Sequence, residues 1–501
     1  QKLLSHDTSR LARQVTRPRS NPFRLNRSRI DTLVVSCANV TDSLRDELIA
    51  IVGETNIATS SDDLEAYGRD WTRFYLPDPA VVVFPKAIED VLQLVVFANE
   101  RDLSLVPSGG RTGLSGGAVA REREIVISFD KMNRIHSFDP VDHTVVVEPG
   151  VVTANLQAYA KEHDLAYPVE FASAGSSQIG GNIATNAGGI KVLRYGLTRD
   201  QVAGLKVVTG KGELLNLNQG LIKNATGYDL RHLFIGSEGT LGLIVEATVR
   251  LSPPPPDLCV LLLAVPGMDS VMRVFDRFRR KASLTAFEFF SDQAMDHVLS
   301  HLNTSAPFTD RSDYYVLLEL EEASLEGAMT AFEDCLGDGT VIDGIVSQSE
   351  QQRMDLWRYR EGISESITPH TPYKNDLAVR ISRVPEFLAA VSATVSTRYP
   401  DFELIWFGHI GDGNLHLNIL RPDDWSIDSF KAECDRVSDD VMAVVAQFEG
   451  SVSAEHGVGL LKREQLHYTR SAEEIEMMRG LKQVFDPNNV MNPGKLLPLN
   501  S

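Results

Sequence analysis

Along most of the chain the apolar residues fall into two arrangements. Short unbroken runs alternate with stretches in which apolar positions recur every three or four residues. The segment AVVVFPKAIEDVLQLVVFANERDLSLVPSGG, residues 80–110, contains both. It predicts a strand, a break at Pro85, an amphipathic helix, a second strand and a glycine loop, which together make a β-α-β unit. Residues 42–52 predict a helix with Thr41 or Asp42 as N-cap. Strands are expected at EIVISF (124–129), HTVVVEPG (143–150), GLKVVTG (204–210) and LIVEATVRL (243–251), with a helix over NLQAYAKEHDL (155–165).

Four prolines at 253–256 interrupt this pattern. A proline run continues neither a strand nor a helix, so it marks a domain boundary. Beyond it the chain restarts with LCVLLLAV (258–265), a helical MDSVMRVFDRFRRKA (268–282), then strand, helix and strand again. That predicts a second α+β domain lying over the first. The apolar run at 259–265 is far short of the ~18–20 residues of a membrane span.

At 501 residues the chain is too long for one typical core. Its net charge of −19 argues against nucleic acid as a partner. Cys37, Cys259, Cys335 and Cys434 are scattered without a CxxC pair, which fits a reducing compartment and neither a disulfide scaffold nor a cysteine metal site. The first 30 residues carry seven arginines and one lysine against Asp7. That composition suits a transit peptide and a basic tail equally, and both readings stay open.

Three loops are unusually rich in small residues. VPSGGRTGLSGGA (106–118) follows a strand and holds five glycines. Freed backbone N–H groups there can wrap a pyrophosphate. Neither the Walker pattern nor a simple GxGxxG is present. ASAGSSQIGGNIATNAGG (172–189) and NATGYDLRHLFIGSEGTLGLIVEATVRL (224–251) are the others. Loops of this kind sacrifice order unless a ligand fixes them.

These segments resemble the FAD-binding domain of the vanillyl-alcohol-oxidase-type (PCMH-type) flavoproteins. The resemblance implies that FAD is held by Pro107, Ser108, Gly109, Gly110, Arg111, Thr112, Gly113, Ser115 and Gly116 of the first loop. It adds Ala174, Gly175, Gly181, Asn182, Thr185, Asn186, Gly188 and Gly189 of the second, and Glu238, Gly239, Gly242 and Ile244 of the third. Some members attach the flavin to a histidine of the first loop; Arg111 stands here without one, so non-covalent FAD is expected. FDPNNVMNPGKLLP (485–498) resembles the C-terminal signature of the family, which implies that Asn492 sits near the flavin ring. The implied architecture is α+β. A basic tail (1–30) precedes a two-part FAD-binding domain (31–255). A substrate and metal-binding cap with an antiparallel sheet (256–460) follows, and then a helical C-terminal segment (461–501) that returns to the FAD domain.

FGHIGDGNLHLNI (407–419) places two histidines around a turn. A four-residue hairpin over 411–414 would make His409 and His416 cross-strand neighbours, with Cβ atoms ~4.5–5.5 Å apart. Two imidazoles at that spacing can share a divalent metal at ~2.0–2.1 Å, and buried, hydrogen-bonded histidines are the plain alternative. SAEHGVG (453–459) adds Glu455 as a third ligand, with His456 free to act as a base. With the loops above, this pair of motifs resembles the FAD-dependent D-2-hydroxyacid dehydrogenases. The resemblance implies a metal, zinc or a similar ion, on His409, His416 and Glu455, and His456 as the catalytic base.

LWRYREGISESITPHTPYKNDLAVR (356–380) carries Arg360 and Ser364 at i and i+4, expected on one helix face, and Lys374 ten residues beyond Ser364. Two separated cations suit a dicarboxylate, although surface charge is the commoner meaning of such residues. The resemblance implies that Arg360, Ser364, Lys374, Asn418 and His456 bind substrate. It leans toward D-2-hydroxyglutarate, oxidised by hydride transfer to the flavin. D-lactate, glycolate and D-malate remain open, as do an alkyl-dihydroxyacetone-phosphate-synthase-like transferase and a non-catalytic flavin subunit. The expected partners are a small 2-hydroxy acid and an electron acceptor, either electron-transfer flavoprotein or a quinone-linked carrier. A homodimer stays open. The expected location is the bacterial cytoplasm or the mitochondrial matrix.

Overall fold

The structure is a computed structural model that describes residues 42–498 apart from residue 73. The expectations for the basic segment and for Thr41 as N-cap lie outside the described residues. Three sheets organise the rest. The first has the order Ile57–Ala58, Val81–Val83, Ile125–Ser128, Leu105–Ser108. Its last three strands are parallel and the short first one is antiparallel. The helix Ile88–Arg101 provides the expected crossover, and Val91, Leu94, Val95 and Ala98 are buried on its inner face. It ends at Asp102, whose left-handed backbone (φ 53°) stops the helix.

The second sheet is antiparallel, in the order Ile135–Asp139, Thr144–Val147, Gly242–Arg250, Val202–Thr209, Leu214–Leu217. Its three inner strands follow the apolar runs. Ile135–Asp139 and Leu214–Leu217, which the pattern did not announce, are the two edges and are half exposed.

Pro253 to Pro256 form an exposed connection to the third sheet. Its seven strands run in the order Asp343–Val346, Leu258–Val265, Tyr314–Glu321, Leu284–Ser291, Glu403–Gly408, Asn414–Leu420, Tyr373–Ala378. Every neighbouring pair is antiparallel. Helices cover both faces. Leu261, Leu263 and Val265 pack into one apolar layer with Phe275 and Phe278, whereas Val260, Leu262 and Ala264 face another that holds Met295 and Trp357. Successive strand residues point to opposite faces, so a strand buried on both sides reads as an unbroken apolar run.

The C-terminal helix Ala472–Phe485 starts with a capping box between Ser471 and Glu474. The chain then rejoins the first sheet. Leu105 N–H donates to Val490 O at 2.8 Å, and Asn492 N–H donates to Leu105 O at 2.8 Å. Cys259, Cys335 and Cys434 are buried free thiols.

Candidate active site

The three glycine-rich loops meet around one open cleft. Fourteen of the residues expected to bind the cofactor line it: Pro107, Gly109 to Gly113, Ser115, Gly181, Asn182, Thr185, Glu238, Gly239, Gly242 and Ile244. The loops need small residues for two different reasons. A Cβ on Gly110 would lie 2.1 Å from the Ser176 carbonyl, so this glycine lets the first two loops touch. A Cβ on Gly181 would meet no protein atom within 4 Å, so its open face belongs to the cleft. Gln178 also lines the cleft, and its buried Oε1 has no partner within the protein. A flat ligand bearing polar atoms fits both features.

The other expected cofactor residues support these loops. Ser108 is buried and donates to Tyr67 O at 3.3 Å. Gly116 N–H donates to Asp70 at 2.8 Å. Ala174 O accepts from Ala154 N–H, and a Cβ on the adjoining Gly175 would meet no protein atom within 4 Å. Asn186 caps the helix Ile179–Thr185 in the left-handed region and accepts from Arg199 N–H at 3.0 Å. Gly189 packs so closely on Glu170 that a Cβ would lie 1.9 Å from its carbonyl. Gly188 faces the other site, since a Cβ there would lie 3.8 Å from the Glu455 carboxylate. Asn492 is buried and donates to Gly117 O (2.8 Å) and Glu238 O (2.7 Å), joining the first loop to the third.

Beside the cleft, His409, His416 and Glu455 converge, with one ligand atom from each lying within 4.8 Å of the others. The expected hairpin needs correction. Strand Glu403–Gly408 pairs with Asn414–Leu420 so that Phe407, not His409, stands opposite His416. The closing turn spans residues 409–413, and His409 O accepts from Asp412 N–H and Asn414 N–H. The turn is centred one residue earlier in the chain than expected, which shifts the register by two residues. An even shift keeps side chains on the same face, and the two imidazoles still sit 5.4 Å apart, edge to face.

Burial and neighbouring charges together set the state of each ring. His409 Nδ1 lies 2.8 Å from Glu288 Oε1. Burial opposes charge on His409, but Glu288 outweighs it and raises the pKa to about 9. Burial dominates at His416 and pushes it down to about 3, so that ring is neutral with a free lone pair. Burial would raise Glu455, but its hydrogen bond to His456 and the charges of His409 and His416 bring it down to about 2. With the Nε2 proton of His409 displaced, two imidazoles and an ionised carboxylate form a donor set that fits a divalent metal such as zinc.

Asp376 organises the neighbouring loop. It stands directly opposite His416 in the sheet. Its Oδ2 accepts from the backbone N–H groups of Ala454 (3.1 Å), Glu455 (2.9 Å) and His456 (2.9 Å). Its Oδ1 accepts from Asn414 Nδ2 at 2.9 Å. His456 Nδ1 lies 3.6 Å from Asp376, while Nε2 lies 3.5 Å from Glu455. Burial opposes charge on His456, and Asp376 overrides it, raising the pKa. Glu238 holds the same loop from below, accepting from Val458 N–H at 2.7 Å and Gly459 N–H at 2.8 Å.

The candidate substrate residues adjoin this centre. Asn418 follows His416 by two on the same strand, and Lys374 is its cross-strand partner. Lys374 Nζ reaches Ser364 Oγ at 3.4 Å. Arg360 is buried over the Phe407 ring at 4.8 Å, and its Nη2 lies 2.9 Å from Glu288 Oε2. The single helix expected to carry Arg360 and Ser364 is interrupted. Glu350–Glu361 ends at Gly362, and a separate turn, Ile363–Ser366, begins there. Gly362 marks the interruption, with its backbone still near helical values (φ −69°, ψ −12°). Arg360 is consequently inside and Ser364 on the rim.

Sequence reading missed Glu288, the anchoring role of Asp376, and the pair Lys191–Glu319. Lys191 follows Gly188 and Gly189, and its ammonium pairs with the fully buried Glu319 of the seven-stranded sheet. Thr285 Oγ1 (2.5 Å) and Trp357 Nε1 (3.1 Å) also donate to Glu319. An acid inside an otherwise apolar strand was the one available signal for Glu288 and Glu319.

Known proteins place this architecture. The FAD binding domain family matches residues 79–218, and the family described as FAD linked oxidases, C-terminal domain, matches residues 254–496. The chain is 56% identical to D-2-hydroxyglutarate dehydrogenase of Stutzerimonas stutzeri (strain A1501) over 91% of this chain and 98% of that one. It is 54% identical to the protein of the same name from Xanthomonas citri pv. viticola, over 88% and 94% of the two chains. The mitochondrial D-2-hydroxyglutarate dehydrogenase of Bos taurus is 36% identical over 91% and 84%. Among solved structures, p-cresol methylhydroxylase with substrate bound superposes with a TM-score of 0.73 at 16% identity, over 91% of this chain and 97% of that one. Alkyldihydroxyacetonephosphate synthase gives 0.68 at 17% identity, over 89% and 85%. At those identities the likeness concerns the fold alone. The chain therefore belongs to the FAD-linked oxidases, within the family of the D-2-hydroxyglutarate dehydrogenases.

Proposed function

We propose that this FAD-dependent dehydrogenase oxidises D-2-hydroxyglutarate to 2-oxoglutarate, using a divalent metal held by His409, His416 and Glu455. When bound, FAD supplies the hydride acceptor and the metal a Lewis acid for the C2 oxygen. The observation that carries the reading is the convergence of those three side chains beside His456, next to the FAD cleft. His456, with Asp376 beside its Nδ1 and Glu455 beside its Nε2, is the group that takes the proton of the C2 hydroxyl. Arg360 binds one carboxylate with donors that Glu288 leaves open. Lys374 and Ser364 receive the second at the rim, and Asn418 lies between the cation and the histidines. Two fixed carboxylate contacts set which face of C2 meets the flavin.

The name shared by the relatives supports D-2-hydroxyglutarate, and the second cation, Lys374, supports a dicarboxylate over D-lactate or glycolate. D-malate, also a dicarboxylate, is the expected secondary substrate. Electrons leave to an external acceptor, either electron-transfer flavoprotein or a quinone-linked carrier. Among the described residues no helix is long and apolar enough to cross a membrane. The bacterial and mitochondrial relatives point to the cytoplasm or matrix.

The test is anaerobic flavin bleaching with D-2-hydroxyglutarate, L-2-hydroxyglutarate, D-malate, D-lactate and glycolate, each with and without a chelator. Fast, chelator-sensitive bleaching by D-2-hydroxyglutarate is expected. Faster bleaching by D-lactate overturns the role of Lys374, and chelator-insensitive bleaching overturns the metal.

A further inference from the structure

We infer that Glu288 is a positioning residue that holds the ligand His409 and the substrate-binding Arg360 in register with each other. This rests on the reading of His409 as a metal ligand. Glu288 lies on Leu284–Ser291, and its strand neighbours Phe287 and Phe289 are buried in an apolar layer. It is itself 1% exposed. A carboxylate in such a place survives only with charged or hydrogen-bonding partners, and Glu288 divides its two oxygens between two functional groups.

One oxygen fixes an imidazole. The turn carrying His409 folds onto this strand, with Gly411 N–H donating to Phe287 O at 3.1 Å. That brings His409 Nδ1 to 2.8 Å from Glu288 Oε1. With Nδ1–H donated there, Nε2 is the nitrogen left to face His416 and Glu455. A carboxylate behind a ligating histidine sets its tautomer and orientation in this way.

The other oxygen fixes a guanidinium. Glu288 Oε2 lies 2.9 Å from Arg360 Nη2, yet the contact is not aligned as a hydrogen bond. Arg360 Nε is buried and has no partner. The guanidinium is therefore held by charge on one edge and by the Phe407 ring below, and it keeps donors for an incoming carboxylate. A single side chain thus sets the distance between the metal ligand and the carboxylate clamp, two groups that are 49 positions apart in sequence (360 and 409).

The experiment uses three FAD-loaded proteins: wild type, Glu288→Ala and Glu288→Gln. Zinc affinity is measured by competition with a chromogenic chelator, and KM and kcat for D-2-hydroxyglutarate are measured separately. Flavin content and melting temperature serve as folding checks. Glu288→Ala is expected to weaken zinc binding by about 10–100-fold and to raise KM. The amide oxygen of Glu288→Gln accepts the same Nδ1–H, so zinc affinity returns to well inside the about 10–100-fold loss of a missing outer-shell partner. KM stays raised, because an amide does not hold Arg360. Unchanged zinc affinity in Glu288→Ala, or no recovery in Glu288→Gln, overturns the inference while leaving the metal site standing. Wild-type protein that takes up no zinc overturns the metal reading itself, and the inference with it.

Discussion

Asp376→Asn removes one charge without changing shape, and its consequence can be worked out from the contacts. Three backbone N–H groups converge on Oδ2, while Asn414 Nδ2 donates to Oδ1. With an amide, three charge-assisted bonds of about 1.5–3 kcal/mol become neutral bonds of about 0.5–1.5 kcal/mol, a loss of about 3 kcal/mol in total. The amide also has a donor end. Either it faces Asn414 Nδ2 or it faces the three N–H groups, and the resulting unsatisfied donor costs about 1–3 kcal/mol more. The loop that carries Glu455 and His456 is thus weakened by about 4–6 kcal/mol relative to its open form. At about 1.4 kcal/mol per tenfold, it opens about 10³–10⁴ times more often. Amide hydrogen exchange reads this directly. Exchange at Ala454, Glu455 and His456 should accelerate by that factor, while strand Asn414–Leu420 stays protected. Flavin reduction, followed by stopped flow, should slow in parallel. Unchanged exchange at these three amides, with flavin reduction within threefold of wild type, would refute the anchoring role.

Other substitutions separate the two sites and their supports. His409→Ala and Glu455→Ala should lose the metal and most turnover while keeping FAD, checked by metal analysis and the flavin spectrum. Gly181→Ala adds a methyl group that meets no protein atom, within a helix where alanine is favoured by about 1 kcal/mol. The apoprotein should be at least as stable as wild type in urea, while FAD affinity, read by flavin fluorescence, falls tenfold or more. Gly110→Ala should instead destabilise the apoprotein, because its Cβ would collide with Ser176 O. Lys191→Met leaves the fully buried Glu319 without its ammonium. Arg353 Nη1, 3.4 Å from Glu319 Oε2, remains as a second cation, so urea unfolding should show a loss smaller than the about 3–5 kcal/mol of a fully orphaned buried charge.

The sequence by itself determined the strands that are buried on both faces, the crossover helix and the glycine loops. Each is a local pattern: LCVLLLAV is apolar throughout because both faces are covered, and the loops are glycine-rich because backbone meets backbone or ligand there. His409, His416 and Glu455 stood out because their residue types cluster within short motifs. Edge strands such as Ile135–Asp139 did not stand out, since half-exposed strands carry polar residues like any loop. Tertiary structure alone decided the rest. It set the hairpin register two residues from the expected one, through a turn centred one residue earlier in the chain. It also turned ordinary acids into organisers. Glu288 and Asp376 read in sequence as single carboxylates, and only the folded chain brings Arg360 and His409 to the first and the 454–456 amides to the second. Periodicity is written over a few residues. The role of a buried charge depends on partners tens to hundreds of residues away, and only packing brings those partners within hydrogen-bond reach.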